Sequence, residues 1–252
     1  MTKRPAIQLG FLALSTVFML SFTGCSDASS SQGGILAQTR RLEEPQQEKP
    51  KKDIDSDTQD IPYDTSKEPA YIHDARAINS DVIGWIIVPN TSIDYPILQT
   101  DDNEFYLDHN LEREISKSGA VFLDVLNNDP AQQRHLMIYG HNMKDGSMFH
   151  DLNNFKKKDF FRHAEPITIW LWGQERTYDI YAQSLPSTDL DFRQTEFDND
   201  ASYVSYLQAM RELSKHQRDS ITLDQSSEIV TLVTCTYEYD DLRCLVQGIR
   251  VS

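Results

Sequence analysis

From residue 82 to residue 251 the chain breaks into short runs rich in β-branched and aromatic side chains, separated by Gly, Pro, Asn and Asp. Val82-Ile83-Gly84-Trp85-Ile86-Ile87-Val88 is the first such run, and Pro89-Asn90 turns the chain behind it. Ile93, Tyr95 and Ile97 then alternate with polar or turn residues, as a half-buried strand requires. Further runs cover 119–124, 136–139, 166–172, 176–185, 229–235 and 242–251. Many short strands with turn residues between them predict a mainly β domain, a barrel or a sandwich. One stretch follows a different period. Over about 200–216, Val204, Leu207, Met210 or Arg211, and Leu213 recur at helical spacing, with N-cap side chains available at 198–200. This places a helix before the run that ends at Cys235. A shorter helical piece is expected over 148–157, and an N-terminal helix before the first strand.

The first 68 residues are of another kind. Lys3 and Arg4 precede an apolar run over about 7–22, after which the sequence turns small, polar and Ser-rich. Residues 1–24 therefore read as a signal peptide or signal-anchor, and the basic end predicts that everything beyond the run is exported. Phe22-Thr23-Gly24-Cys25 resembles the lipobox of bacterial lipoproteins, with Phe22 where Leu is usual, which makes Cys25 a candidate lipidation site. Either an acylated Cys25 or an uncleaved anchor would tether the chain to a membrane, with the folded domain on the extracytoplasmic face. Residues 25–68 carry almost no large apolar side chains and read as a disordered polar spacer. The expected folded domain is 69–252. The formal net charge of −15 excludes a chain built to bind nucleic acid, because phosphate recognition needs a Lys/Arg-rich face.

Three cysteines, at 25, 235 and 244, are too few and too dispersed for a disulfide framework or a zinc knuckle. Cys235 closes the apolar run Thr231-Leu232-Val233-Thr234-Cys235. A thiol at a strand end can face a groove while the strand fixes its direction. Taken alone, such a cysteine is more often a small buried hydrophobe. If 242–251 is a strand, Arg243, Leu245 and Gln247 share one face, and Cys244 and Val246 share the other, so Cys244 points away from the groove. The histidines at 73, 109, 135, 150, 163 and 216 sit in polar or loop contexts and read as solvated. Glu238, Asp240 and Asp241 read as a solvated acidic turn.

Two blocks carry a family resemblance. Thr231, Leu232, Thr234, Cys235 and, eight residues on, Arg243 match the Thr-Leu-x-Thr-Cys…Arg signature of sortases, the bacterial cysteine transpeptidases of the cell wall, and the spacing fits class B. Leu136-Met137-Ile138-Tyr139-Gly140-His141-Asn142-Met143, continuing through Gly146-Ser147-Met148-Phe149, resembles the class B segment that presents a catalytic histidine. The resemblance spans about 70–251, and departs from the family pattern at Val233, where Ser is common, and in the lipobox. It implies a sortase-like β-barrel with an N-terminal helix and a helix inserted before the cysteine strand. It also implies Cys235 as nucleophile with His141 and Arg243 as partners, and no cofactor or metal; Thr234 is a candidate substrate contact through its hydroxyl or backbone. The implied partners are exported proteins with a C-terminal sorting signal of the Asn-Pro-x-Thr-Asn or Asn/Ser-Pro-x-Thr-Gly kind, and a peptidoglycan or precursor amine as acceptor. The residues suit that chemistry: a free thiol is only a few per cent ionised near neutrality, and a neighbouring cation raises that fraction. A peptidase that passes the thioacyl group to water, or a binding lipoprotein with a structural Cys235, are the alternative readings.

Overall fold

A computed structural model describes residues 63–129, 133–236 and 242–252. The apolar run at 7–22, Cys25, most of the polar spacer and the acidic turn with Glu238, Asp240 and Asp241 lie outside the described residues. Among the described residues nine strands form one sheet: β1 (Val82–Ile87), β2 (Asp94–Leu98), β3 (Phe122–Leu123), β4 (His135–Tyr139), β5 (Ile167–Leu171), β6 (Gln174–Ser184), β7 (Ser214–Gln217), β8 (Ile229–Cys235) and β9 (Arg243–Arg250). Their order is β5-β1-β2-β3-β4-β8-β9-β6, and β6 pairs back onto β5, closing an eight-stranded barrel. The far half of β6 leaves β5 and takes β7 instead, with Ala182 opposite Gln217. Closure leaves the barrel strands without a free edge to template aggregation.

Alternation along the strands sorts side chains into two cores. Ile86, Ile97, Leu136, Ile138, Ile169, Ile180, Val230, Leu232, Cys244 and Val246 fill one cluster together with Phe149, Leu152, Phe155 and Phe161. The opposite faces of β4, β8 and β9 present Met137, Ile229, Val233 and Leu245 to the helix α3 (Asp200–Glu212), which covers them with Tyr203, Tyr206, Leu207 and Met210. The first helix, α1 (Ala70–Ile78), buries Ile72 and Ala75 against Val82, Leu98, Tyr106 and Phe122. Residues His150–Lys156 form 3-10 turns that lead into the short helix α2 (Lys158–Arg162), where the sequence pattern predicts a helical piece.

Three expectations need correction. Helix α3 stops at Glu212 and does not reach residue 216; Ser214–Gln217 is the strand β7, whose polar Ser-Lys-His-Gln sequence carries no apolar alternation to mark it. The buried stripe of α3 keeps Leu207 and Met210 as expected and adds Tyr203 and Tyr206, while Val204 is only half-buried and Leu213 is 46% exposed. The predicted cap is present: the Asn199 side chain accepts the Ser202 N–H, and the Ser202 hydroxyl closes the reciprocal box. The folded part also begins before residue 69. Glu68 is 7% exposed, pairs with the Arg76 guanidinium at 2.7 Å and accepts the Gly173 N–H. It read as spacer because its partners lie 8 and 105 residues away.

Candidate active site

The topology decides which residues meet. β4 and β8 are parallel, with Tyr139 level with Val233, so the loop after β4 leaves the barrel beside the end of β8. β8 and β9 are antiparallel, which places the start of β9 at that same end and sets Arg243 directly opposite Cys235. Gly140-His141, Thr234-Cys235 and Arg243 thus converge from three strands at one end of the barrel. There they line a single cleft of about 390 Å³ together with Leu107, Tyr139, Phe192 and Val233.

Cys235 is exposed, the final and only exposed residue of β8. Cys244 is buried on the inner face of β9 beside Val246, as alternation predicts, and neither cysteine is in a disulfide. Thr234 borders the cleft but is 2% exposed, and its hydroxyl is buried without a hydrogen-bond partner among the described residues.

His141 is held by its surroundings. Gly140 donates its N–H to the Val233 carbonyl at 3.2 Å, and Phe149 donates to the His141 carbonyl at 2.8 Å. A Cβ at position 140 would lie 2.6 Å from the Phe149 ring, so only glycine lets the loop pack this closely on Phe149. The His141 Nε2 lies 2.6 Å from the Leu107 carbonyl. A carbonyl can only accept, so Nε2 carries the hydrogen and the basic nitrogen of the neutral ring is Nδ1.

Sequence reading passed over Asn142, although it lies within the histidine block. Its side-chain amide donates to the Cys235 carbonyl at 3.0 Å, and its oxygen lies 2.9 Å from the His150 Nδ1, which donates to it. One side chain thereby ties the histidine loop to the cysteine strand. Tyr139 donates to Asp124 at 2.7 Å, and burial, reinforced by that carboxylate, holds its phenol well above the ordinary range.

His135 corrects the reading of the remaining histidines. It is 0% exposed at the start of β4, with Nδ1 2.7 Å from the Gln194 carbonyl and Nε2 2.8 Å from the Thr231 hydroxyl. The carbonyl requires Nδ1 to donate, so Nε2 accepts from Thr231, whose oxygen in turn accepts from the Gln247 amide at 3.2 Å. Burial lowers the His135 pKa to about 4, which keeps the ring neutral. The first Thr of the signature is thus a partner of a buried imidazole. Among the described residues no group of three or more His, Cys, Asp and Glu is placed to hold a metal ion.

The sortase domain model matches residues 86–251 of this chain. The chain belongs to the sortase family. Sortase B of Listeria monocytogenes is 36% identical over 184 residues, covering 72% of this chain and 74% of that protein. The crystal structure of Clostridium perfringens sortase B is 34% identical and superposes with a TM-score of 0.68 over 71% of this chain and 99% of the other. The substrate complex of Staphylococcus aureus sortase B, 26% identical, gives a TM-score of 0.67 over 73% of this chain and 85% of that one. The closed, mainly β barrel with few helices is the architecture of these class B sortases, as the two blocks around His141 and Cys235 predict.

Proposed function

We propose that this sortase is a cysteine transpeptidase that cleaves a C-terminal sorting signal of exported proteins and passes the acyl group to a cell-wall amine. The observation that carries the reading is the convergence of an exposed Cys235, His141 and Arg243 on one cleft from separate strands. The class B relatives support it, one of them having been crystallised with its substrate.

The chemistry follows from the donors and acceptors present. Nδ1 of His141 takes the proton of the Cys235 thiol, and the resulting thiolate adds to the scissile carbonyl, forming the C–S bond and a tetrahedral oxyanion that the permanently charged, fork-shaped guanidinium of Arg243 is suited to hold. When the C–N bond breaks, His141 protonates the departing amine from Nδ1, because Nε2 is committed to Leu107. A thioacyl-enzyme remains. The acceptor amine then adds to the thioester carbon and yields its proton to Nδ1, and the C–S bond breaks to restore the thiolate. The first half-reaction leaves a neutral thioester and a neutral ring, and the second restores the thiolate and the protonated Nδ1, so the full cycle balances without an outside reagent.

The reading extends to location: Lys3, Arg4 and the apolar run that follows would hold the domain at the outer face of the cell membrane, by an anchor or a lipidated Cys25. Incubating the protein with a library of sorting peptides, with and without an amine acceptor, tests the activity. The expected result is a thioester on Cys235 and an amide product that appears only with the amine. Free-acid product unchanged by added amine would instead assign a peptidase.

A further inference from the structure

Arg193 also lines the cleft, from the loop between β6 and α3. Arg76, Arg113, Arg134, Arg211 and Arg250 each pair with a carboxylate. Arg193 makes no hydrogen bond or ion pair with any described residue, although the protein carries a net charge of −15. Its side chain is exposed, and its charge is near enough to act on the Tyr139 phenol within the cleft.

The backbone around it is clamped on both sides. The carbonyl of Phe192 accepts the Tyr206 hydroxyl of α3 at 2.7 Å, and that of Gln194 accepts the buried His135 Nδ1–H of β4 at 2.7 Å. Phe192 itself is buried in the α3 cluster. A loop arginine would ordinarily lose much conformational freedom on binding, and fixing its main chain at residues 192 and 194 lowers that loss beforehand. No acidic side chain lines the cleft among the described residues.

We infer that Arg193 is a specificity-determining residue that recognises a carboxylate on one of the two reactants, either beside the acceptor amine or on an acidic residue of the sorting signal. This rests on the transpeptidase reading above. A guanidinium fork matches a carboxylate in two parallel hydrogen bonds and gains little from an uncharged amide of the same shape.

The test compares matched pairs on the full chain. In the acceptor arm, a diamino acid is compared with its carboxamide; in the donor arm, a sorting peptide containing Glu is compared with its Gln counterpart. In one arm the carboxylate member should be preferred by roughly tenfold in kcat/KM, the scale of one charge-assisted pair. Arg193→Gln should bring that ratio near one, and Arg193→Lys should keep part of it. A purely structural role for Arg193 would lower both members alike and leave the ratio unmoved. Absence of a preference in both arms, or a preference that survives in Arg193→Gln, overturns the inference. If no thioester forms with any donor, the transpeptidase reading fails separately. Calorimetric binding of the same pairs to Cys235→Ala, with and without Arg193→Gln, then still decides whether Arg193 selects carboxylates.

Discussion

Cys235 and Arg243 stand directly opposite each other across the β8–β9 ladder, so their backbones share one fixed separation whatever the intervening turn does. Both side chains project from the same face of the sheet, the face of Val233 and Leu245. The ladder therefore fixes the two backbone positions from which the thiol and the guanidinium project before any ligand arrives.

Substitution at Arg243 separates charge from geometry. Arg243→Lys keeps a cation but loses the planar fork, and Arg243→Ala loses both. Single-turnover thioester formation should fall by roughly 10²–10³-fold in Arg243→Ala, the cost of removing an oxyanion donor, and by less in Arg243→Lys. Far-ultraviolet circular dichroism should be unchanged in both. Full turnover in Arg243→Ala would remove it from the reaction.

Asn142 makes a prediction that the proposed catalytic trio does not. Asn142→Ala breaks the link from the histidine loop to the Cys235 carbonyl and frees His150, while leaving Cys235, His141 and Arg243 in the chain. Loosening their alignment should lower kcat by between about 10- and 100-fold with little change in KM. His150→Ala, which removes only the outer bond, should cost less. Equal activity of Asn142→Ala and the parent protein would show that the loop is positioned by Gly140 and Phe149 alone.

The two cysteines of the barrel should differ in reactivity. Cys235 is exposed, whereas Cys244 is fully buried, with Leu152 and Gln183 against its sulfur. Alkylation of the folded protein at neutral pH, followed by peptide mapping, should label Cys235 and leave Cys244 unmodified until denaturant is added. Labelling of Cys244 at the same rate would show that the barrel opens readily.

What the sequence made legible is what local pattern encodes. The strands around Trp85, Tyr95, Ile169, Ile180 and Val233 alternate or run apolar over several residues, and the two family blocks carry His141, Cys235 and Arg243 in order. β7 and the burial of Glu68 escaped notice because polar residues there are satisfied by distant partners: Ser214–Gln217 takes its bonds from β6, and Glu68 from Arg76 and Gly173. Arg193 gives no local signal at all, since its relevance comes from Tyr206 and His135 fixing the carbonyls beside it. His135 misled for the same reason. A histidine after Gln132-Gln133-Arg134 looks solvated until the parallel pairing of β4 with β8 sets it beside Thr231.

That burial gives His135 a signature in stability against pH. Its pKa falls from about 6.5 in an unfolded chain to about 4 in the native protein, so between those values the unfolded state binds more protons than the folded one. Stability should therefore rise as pH increases from about 4 to 6.5 and level off above, and falling pH through this window should remove on the order of 3 kcal/mol. The lowered carboxylates Asp64, Asp102, Asp145 and Asp224 add a slope of the same sign, but only near and below their ordinary value of 3.8. Urea unfolding at pH 5 and at pH 7 should show the difference in the parent protein. In His135→Gln, which can still donate to the Gln194 carbonyl, stability at pH 7 should drop while the difference between the two pH values shrinks. A parent protein equally stable at pH 5 and pH 7 would mean that His135 takes up its proton in place, and that the Gln194 contact tolerates a charged ring.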